Sequence, residues 1–360
     1  MKFYSYKKIN ALDCDYNMII GERSNGKTYN LLYNALKDYI DGKGKMVYIR
    51  RWSEDIVARR LGKLWTGIIE NNVVFDLTKG EFTTIAVKNK TFYLANKDEE
   101  GKYIYSDTDI IGYAVSISEV EHDKSTESGD VKNIIFDEFL AKRVYLPDEF
   151  VLFCNTLSTI IRNRNNVKIW MLGNTVNKYS PYFDEMGLDN IKNQKQGTID
   201  VYTYGNSDLK VAVEYCSSVN QSKKSNKYFA FNNPKLQMIT GGKWELDIFP
   251  HNHIKYKMDD IALSAFFIFA GDIYQGDIVF YESKNIFMHI HPKTTEIKND
   301  DDLIFQVDFD PRLNVCSNAS SPPTELHGKI LWFFNHDKVT YANNEVGNAI
   351  NNLLMEMRRR

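Results

Sequence analysis

GERSNGKTYN, residues 21–30, follows the apolar run Met18-Ile19-Ile20 and leads into a segment with helical periodicity. Gly21-Glu22-Arg23-Ser24-Asn25-Gly26-Lys27-Thr28 fits G-x-x-x-x-G-K-[ST] without a mismatch. The spacing has a chemical reason. The glycines let the backbone curl until its N–H groups point inward at phosphate. The helix N-terminus then adds a favourable dipole for an anion. Gly21, Arg23, Ser24, Asn25 and Gly26 are the expected cradle of ATP. Lys27 is expected to reach the β- and γ-phosphates, and the Thr28 hydroxyl to bind Mg²⁺.

Outward from this loop the pattern is that of an α/β fold. Tyr16–Ile20 reads as a short buried strand. Leu31, Leu32, Ala35, Leu36 and Tyr39 recur at helical spacing until Asp41-Gly42, and KMVYIRRW (45–52) reads as the next strand. Strand, loop, helix and strand make a βαβ unit and predict a mainly parallel sheet. Further strands are expected at Val73–Phe75, Ile85–Val87, Phe92–Leu94, Tyr113–Ser116, Asn133–Phe136 and Val167–Leu172, with a helix over Glu149–Arg162.

A phosphate loop alone does not imply hydrolysis. NIIFDEF (133–139) supplies what is missing, an apolar strand ending in two carboxylates. Asp137 is expected to hold the Mg²⁺ shell, and Glu138 to orient and deprotonate the attacking water. A glutamate directly after the metal aspartate suits the ATPases that carry an additional strand between the loop strand and the metal strand. The strand candidates between Thr28 and Asp137 suit that class too. A GTPase would want N-K-x-D, whereas Asn96-Lys97-Asp98-Glu99 has Glu at the last position. Next comes TIIRNRNNVKIWMLGN (159–174). Asn174, at a strand tip, is a candidate γ-phosphate sensor. Arg162 and Arg164 read equally as a solvated helix terminus or as residues reaching a neighbouring subunit's ATP.

Composition restricts the remaining choices. The chain has 360 residues, 43% hydrophobic and 26% charged, with a formal net charge of −2. Such a charge excludes a polybasic nucleic-acid coat, so contact with DNA must come from local patches. Cys14, Cys154, Cys216 and Cys316 form no C-x-x-C pair and read as reduced thiols. No signal-peptide core opens the chain, and IALSAFFIFAG (261–271) is far shorter than the ~20 residues of a membrane helix. The expectation is a soluble protein without a membrane partner, retained in the cell that makes it.

Three segments are expected: an ATPase domain over 1–205, a linker over 206–243 containing the polar run SSVNQSKKSNKY, and a strand-rich C-terminal domain over 244–360. The last closes with an amphipathic helix whose stripe is Val346, Ile350, Leu353, Leu354 and Met357.

GERSNGKTY, YIRRWSEDI, IIFDEF and IIRNRNNVKIWMLGN, in that order, resemble the DNA-packaging ATPases of small tailed bacteriophages with protein-primed genomes, the phi-twenty-nine type. These are compact relatives of the terminase large subunits. The resemblance covers roughly residues 15–185 and is weak in the C-terminal sequence. It implies an N-terminal P-loop NTPase domain of the additional-strand catalytic-glutamate class. It also implies a homopentameric ring at the portal of an empty procapsid, in the host-cell cytoplasm, that hydrolyses ATP to drive double-stranded DNA inward. Whether a structural RNA bridges ring and portal is left open. By motif, Arg162 matches the arginine that acts in trans, with Arg164 as the second candidate. Lys124 matches a basic position before the metal strand, and Arg23 matches an arginine of the family's phosphate loop.

DNA contact should be mostly to phosphate, because packaging must accept any sequence. Candidates lie in Lys88–Lys102 and at Lys223, Lys224 and Lys227. The family's C-terminal domain resembles a ribonuclease-H-type nuclease that has lost its metals. Asp272, Asp277 and Asp308 are therefore expected to be turn and strand-end acids, and His289 and His291 surface or satisfied histidines. Three rivals stand beside the motor: another ring ATPase such as a helicase or DNA-transfer translocase, a nucleotide-gated scaffold, and a packaging protein with residual nuclease activity.

Overall fold

A computed structural model describes residues 4–119, 130–141, 145–175, 178–205, 207–217, 249–281 and 285–358. The chain divides into two units, residues 1–245 and 246–360. Lys124, Lys223, Lys224 and Lys227, with residues 206 and 218–243 of the expected linker, lie outside the described residues. Lys210–Tyr215, also expected as linker, is instead a strand paired in parallel with Tyr16–Ile20 in the first unit's sheet.

The first unit contains β1 (Tyr16–Gly21), β2 (Lys45–Arg50), β3 (Thr84–Lys88), β4 (Thr91–Lys97), β5 (Tyr103–Ile104), β6 (Ile110–Ser116), β7 (Val131–Asp137), β8 (Lys168–Asn174), β9 (Ile199–Thr203) and β10 (Lys210–Tyr215). Its helices are α1 (Lys7–Asn10), α2 (Lys27–Ile40), α3 (Ala58–Leu64), α4 (Thr66–Glu70), α5 (Val73–Leu77), α6 (Glu149–Ile161) and α7 (Pro181–Glu185). The strand order is β3-β4-β6-β2-β7-β8-β1-β10-β9, with β5 paired to β4. From β6 through β10 every pairing is parallel, and antiparallel strands close the two edges.

The parallel strands read as continuous apolar runs because helices cover both faces. On one face Leu31, Leu32, Ala35 and Leu36 of α2 pack over Ile19, Tyr48, Ile135 and Trp170. On the other, Phe153, Leu157 and Ile160 of α6 pack over Met18, Val47, Ile134 and Met171. Each such leucine, fully buried, is worth about 1.5–3 kcal/mol.

Two expectations change. Val73–Phe75 is not a strand but opens α5, directly after Asn72 at φ 56°. Three apolar residues carry too little periodicity to separate strand from helix. Here Val73 and Val74 are buried while Phe75 is 49% exposed. The strand candidates between Thr28 and Asp137 also lie outside the interval between loop strand and metal strand. The strand that separates β1 from β7 is β8, which follows them both in sequence.

The second unit is a sheet of β11 (Ile261–Phe269), β12 (Asp272–Tyr281), β13 (Asn285–Lys293), β14 (Leu303–Phe305), β15 (Val315–Cys316) and β16 (Val339–Tyr341), in the order β15-β14-β11-β12-β13-β16. The first three strands are antiparallel neighbours, and β14, β15 and β16 add parallel. Helices α8 (Glu325–Asn335) and α9 (Asn344–Met357) follow, and α9 buries Val346, Ile350, Leu353, Leu354 and Met357.

Candidate active site

Every parallel strand of the first unit points its C-terminal end the same way, so β1, β2, β7 and β8 deliver their last residues to one cleft of about 710 Å³. Ligands of open α/β sheets bind at this edge. The loop leaving β1 needs its glycines for two different reasons. At Gly21 a Cβ would sit 2.9 Å from the Cys216 Cβ, a close approach that only glycine allows. At Gly26 the backbone takes φ +90° as the cap of α2, a left-handed geometry that suits glycine. Asn25 Oδ1 accepts from the Lys27 N–H at 3.2 Å, while Asn25 Nδ2 is buried with no hydrogen-bond partner among the described residues.

Lys27 is 6% exposed. Its ammonium donates to the Glu22 carbonyl at 2.8 Å and to Asn174 Oδ1 at 3.4 Å. Burial lowers its pKa, the expected cost of an ammonium held without a full counter-charge. Across the cleft the Thr28 hydroxyl donates to Asp137 Oδ2 at 3.1 Å, and Tyr48 OH donates to the same oxygen at 3.0 Å. Burial raises the Asp137 pKa, against the lowering influence of Arg50. A buried cation and a buried anion, each pushed toward neutrality, suit a ligand bringing the opposite charges. Phosphate fits Lys27 and the free Asn25 amide. A hard cation fits the hydroxyl and carboxylate oxygens of Thr28 and Asp137.

Glu138 sits just past the strand at φ +59°, its N–H donating to Asp137 Oδ1 at 3.0 Å. The turn throws its side chain into the cleft, where the carboxylate is 55% exposed and meets Arg50 Nη2 at 2.7 Å. Arg50 also reaches Asp55 at 3.2 Å. The sequence signalled Arg50 and Arg51 as a motif but gave neither a partner. Both the Arg50–Glu138 and Tyr48–Asp137 contacts follow from β2 pairing directly with β7, where Tyr48 lies opposite Ile135 and Ile49 opposite Phe136.

Gly21, Arg23, Ser24, Asn25, Gly26, Lys27, Thr28, Asp137, Glu138 and Asn174 thus converge, Gly21 as the strand end beneath the cleft and the others lining it. Arg162 and Arg164 do not join them. They precede β8, whereas Asn174 ends it, and seven residues at ~3.3 Å each put about 20 Å between the two edges. Arg162 is exposed at φ 53°, ψ −121°. Arg164 folds back onto α6 instead, donating through Nε to the Ile161 carbonyl at 3.1 Å and through Nη2 to the Ile160 carbonyl. It satisfies helix-end carbonyls and supplies the positive charge that a helix C-terminus favours. Lys90 is paired with Glu119 at 2.9 Å, and the Lys97 ammonium lies 5.1 Å from the Tyr103 ring centre.

The acids of the second unit behave differently. Asp277 is 3% exposed and accepts from Ser264 Oγ at 2.7 Å and Gln275 Nε2 at 2.8 Å on one oxygen. The other oxygen meets His291 Nε2 at 3.1 Å and Tyr256 OH at 3.4 Å. These four partners engage both oxygens of the carboxylate. His289 pairs with Thr340 Oγ1 at 3.1 Å. Asp272 and Asp308 are exposed, and no cluster of three or more His, Cys, Asp or Glu suited to a metal occurs among the described residues. No helix among them is long and apolar enough to cross a membrane.

With this geometry in place, residues 1–229 match the family model described as Podovirus DNA encapsidation protein (Gp16). The DNA packaging proteins of Bacillus phages PZA and phi29 are each 27% identical over 184 residues, 50% of this chain and 49% of each relative. The match therefore spans about half the length of these curated relatives. Among solved structures, the bacteriophage Phi-29 viral genome packaging motor assembly is similar with a TM-score of 0.60, covering 99% of both chains at 19% identity. At that identity the likeness is one of fold.

Proposed function

Because the chain belongs to the podovirus DNA encapsidation protein (Gp16) family, we propose that it is an ATP-hydrolysing motor that drives double-stranded DNA into a preformed viral shell. The observation that carries this reading is the convergence of Lys27, Thr28, Asp137, Glu138 and Asn174 on one cleft at the C-terminal edge of a parallel sheet. The placement of β8 between β1 and β7 supports the additional-strand catalytic-glutamate class. The relatives that the chain matches are DNA packaging proteins, and they suggest the task.

In this reading ATP lies along the loop, with its phosphates on the α2 N-terminus. Lys27 holds the β- and γ-phosphate oxygens. Thr28 and Asp137 would hold Mg²⁺, which would neutralise negative charge on the phosphates. Glu138 accepts a proton from the water that attacks the γ-phosphorus, and ADP and phosphate leave. Asn174, already within reach of Lys27, reads whether the γ-phosphate is present. Arg162 lies at the wrong edge to serve its own cleft, which supports action in trans on a neighbour's ATP within a ring. Such a finger is worth about 10³–10⁵ in rate. A pentamer seated on the portal at the procapsid vertex is the assembly we assign.

In the second unit, the strand order with β11 flanked by β12 and β14, and the saturated Asp277, support a ribonuclease-H-like fold without its metals.

The deciding experiment measures ATP turnover with Mg²⁺, alone and with procapsids bearing portals. Stimulation by procapsids is expected, and equal rates with and without them would favour a general ring translocase. Mixing Arg162→Ala with wild-type chains should depress turnover more than in proportion. A strictly proportional loss would make Arg162 a structural residue.

A further inference from the structure

Arg51 is adjacent to Arg50 in sequence but does something different with its charge. It is 6% exposed, and its guanidinium makes three directed contacts. Nε meets Glu149 Oε2 at 2.7 Å. Nη1 donates to the Glu138 carbonyl at 3.2 Å, and Nη2 to the Phe139 carbonyl. The guanidinium carbon lies 4.9 Å from the centre of the Tyr145 ring. Glu149, at the start of α6, is fixed in turn by Tyr182 OH at 2.7 Å and the Leu146 N–H at 2.7 Å.

We propose that Arg51 is a positioning residue for the catalytic glutamate: its guanidinium holds the carbonyls of Glu138 and Phe139, fixing the turn that aims the Glu138 carboxylate into the cleft. The inference rests on the proposed role of Glu138 as the base.

The physical case has three parts. Glu138 adopts φ +59°, a left-handed conformation that a non-glycine residue keeps only where its surroundings enforce it. Here the N–H of Glu138 is bound by Asp137 and the N–H of Phe139 by the Leu172 carbonyl at 3.1 Å. The two carbonyls are bound by Arg51, so every backbone polar group of the turn is engaged. Second, only a rigid planar fork can hold two successive carbonyls and a carboxylate together. A lysine ammonium is a single point of charge on a flexible stem. Third, the Arg51–Glu149 pair is buried at both ends, at 7% and 0% side-chain exposure, and is itself walled by Tyr145 and Tyr182. It is an anchor against which the turn can be held. Misplacing a general base by about 1 Å can cost about 10²-fold in rate.

The test compares the wild type with Arg51→Lys, with Arg51→Met/Glu149→Gln and with Glu138→Gln. The double variant removes both charges, so it leaves no buried ion unpaired. Thermal melting checks folding, and Arg51→Lys carries the test alone if the double variant does not fold. Affinity for a fluorescent ATP analogue should stay within about threefold of wild type, while kcat falls about 10²-fold. Added to Glu138→Gln, the Arg51 change should lower kcat no further, because a misplaced base matters only where a base exists. A multiplicative further loss, or wild-type kcat in a folded Arg51 variant, overturns the inference. Normal turnover in Glu138→Gln alone would remove the base itself, and this outcome is distinguishable because it appears before Arg51 is touched.

Discussion

Asp137 and Asp277 are both buried strand aspartates, and they stand at opposite ends of what a buried carboxylate can be. Asp277 accepts from serine, glutamine, histidine and tyrosine. Burial opposes its ionisation, but the His291, Gln275 and Ser264 hydrogen bonds outweigh it and hold the carboxyl at about 2. Asp137 accepts from the Thr28 and Tyr48 hydroxyls and from the Glu138 N–H and faces the like charge of Glu138, and there burial wins, so its pKa rises. A carboxylate saturated by its own protein stabilises the fold. One that burial holds against its charge at a cleft suits a ligand of opposite charge, at a cost to stability.

The widest separation between the two regions should appear in turnover. Glu138→Gln is expected to bind ATP yet release phosphate about 10²–10⁴-fold more slowly. Asp277→Asn should leave turnover at the wild-type rate below its melting temperature. Plasmid DNA with Mn²⁺ should stay uncut by the wild-type chain, and cleavage lost in Asp277→Asn would break the contrast outright.

Stability should then separate them with opposite signs. Asp277→Ala strips a partner from several buried donors and should cost about 3–5 kcal/mol in urea unfolding. Asp137→Asn should stabilise the nucleotide-free chain by about 1 kcal/mol, because it removes a carboxylate that the fold holds against its preference to be neutral. If both variants were destabilised alike, Asp137 would be a structural acid.

How much of this contrast was readable beforehand depended on distance along the chain. The loop, the Asp137-Glu138 strand end, Asn174 and the helix at 149–161 are local patterns, and each residue's neighbours reveal its setting. The partners of Glu138 are 88 and 87 positions away, at Arg50 and Arg51, and become visible only once β2 pairs with β7. The same holds for Asp277, whose saturation is assembled from β11, β12, β13 and Tyr256. No spacing rule separates it from a nuclease acid until the strands are in register. Val73–Phe75 failed for the opposite reason: a three-residue apolar run contains no period to read. Arg162 and Arg164 read equally two ways in the sequence, and what separates them is contact: Arg162 is exposed, whereas Arg164 is folded onto α6.

The smallest effect tests the second unit's ion pair through pH. His291 is raised above its usual 6.5 by its hydrogen bond to Asp277, with burial opposing. A raised histidine contributes stability that is full below pH 6.5 and lost as pH climbs through the folded value. His289 works the other way. Burial first, and then the charge of His291, lower its pKa, so it destabilises the fold as pH drops through 6.5. The two must be separated by comparing His289→Gln with His289→Gln/His291→Gln. Between pH 6 and pH 8 the single variant should lose more stability than the double, by about 1 kcal/mol or less for a partly exposed pair. Asp277 adds an acid limb, since a carboxyl depressed to about 2 contributes above its unfolded value near 3.8 and fails as pH falls through 2. Parallel melting curves for the two variants from pH 6 to 8 would mean that His291 donates as a neutral ring. Asp277 would then be satisfied without an ion pair, and its contrast with Asp137 would rest on hydrogen bonding alone.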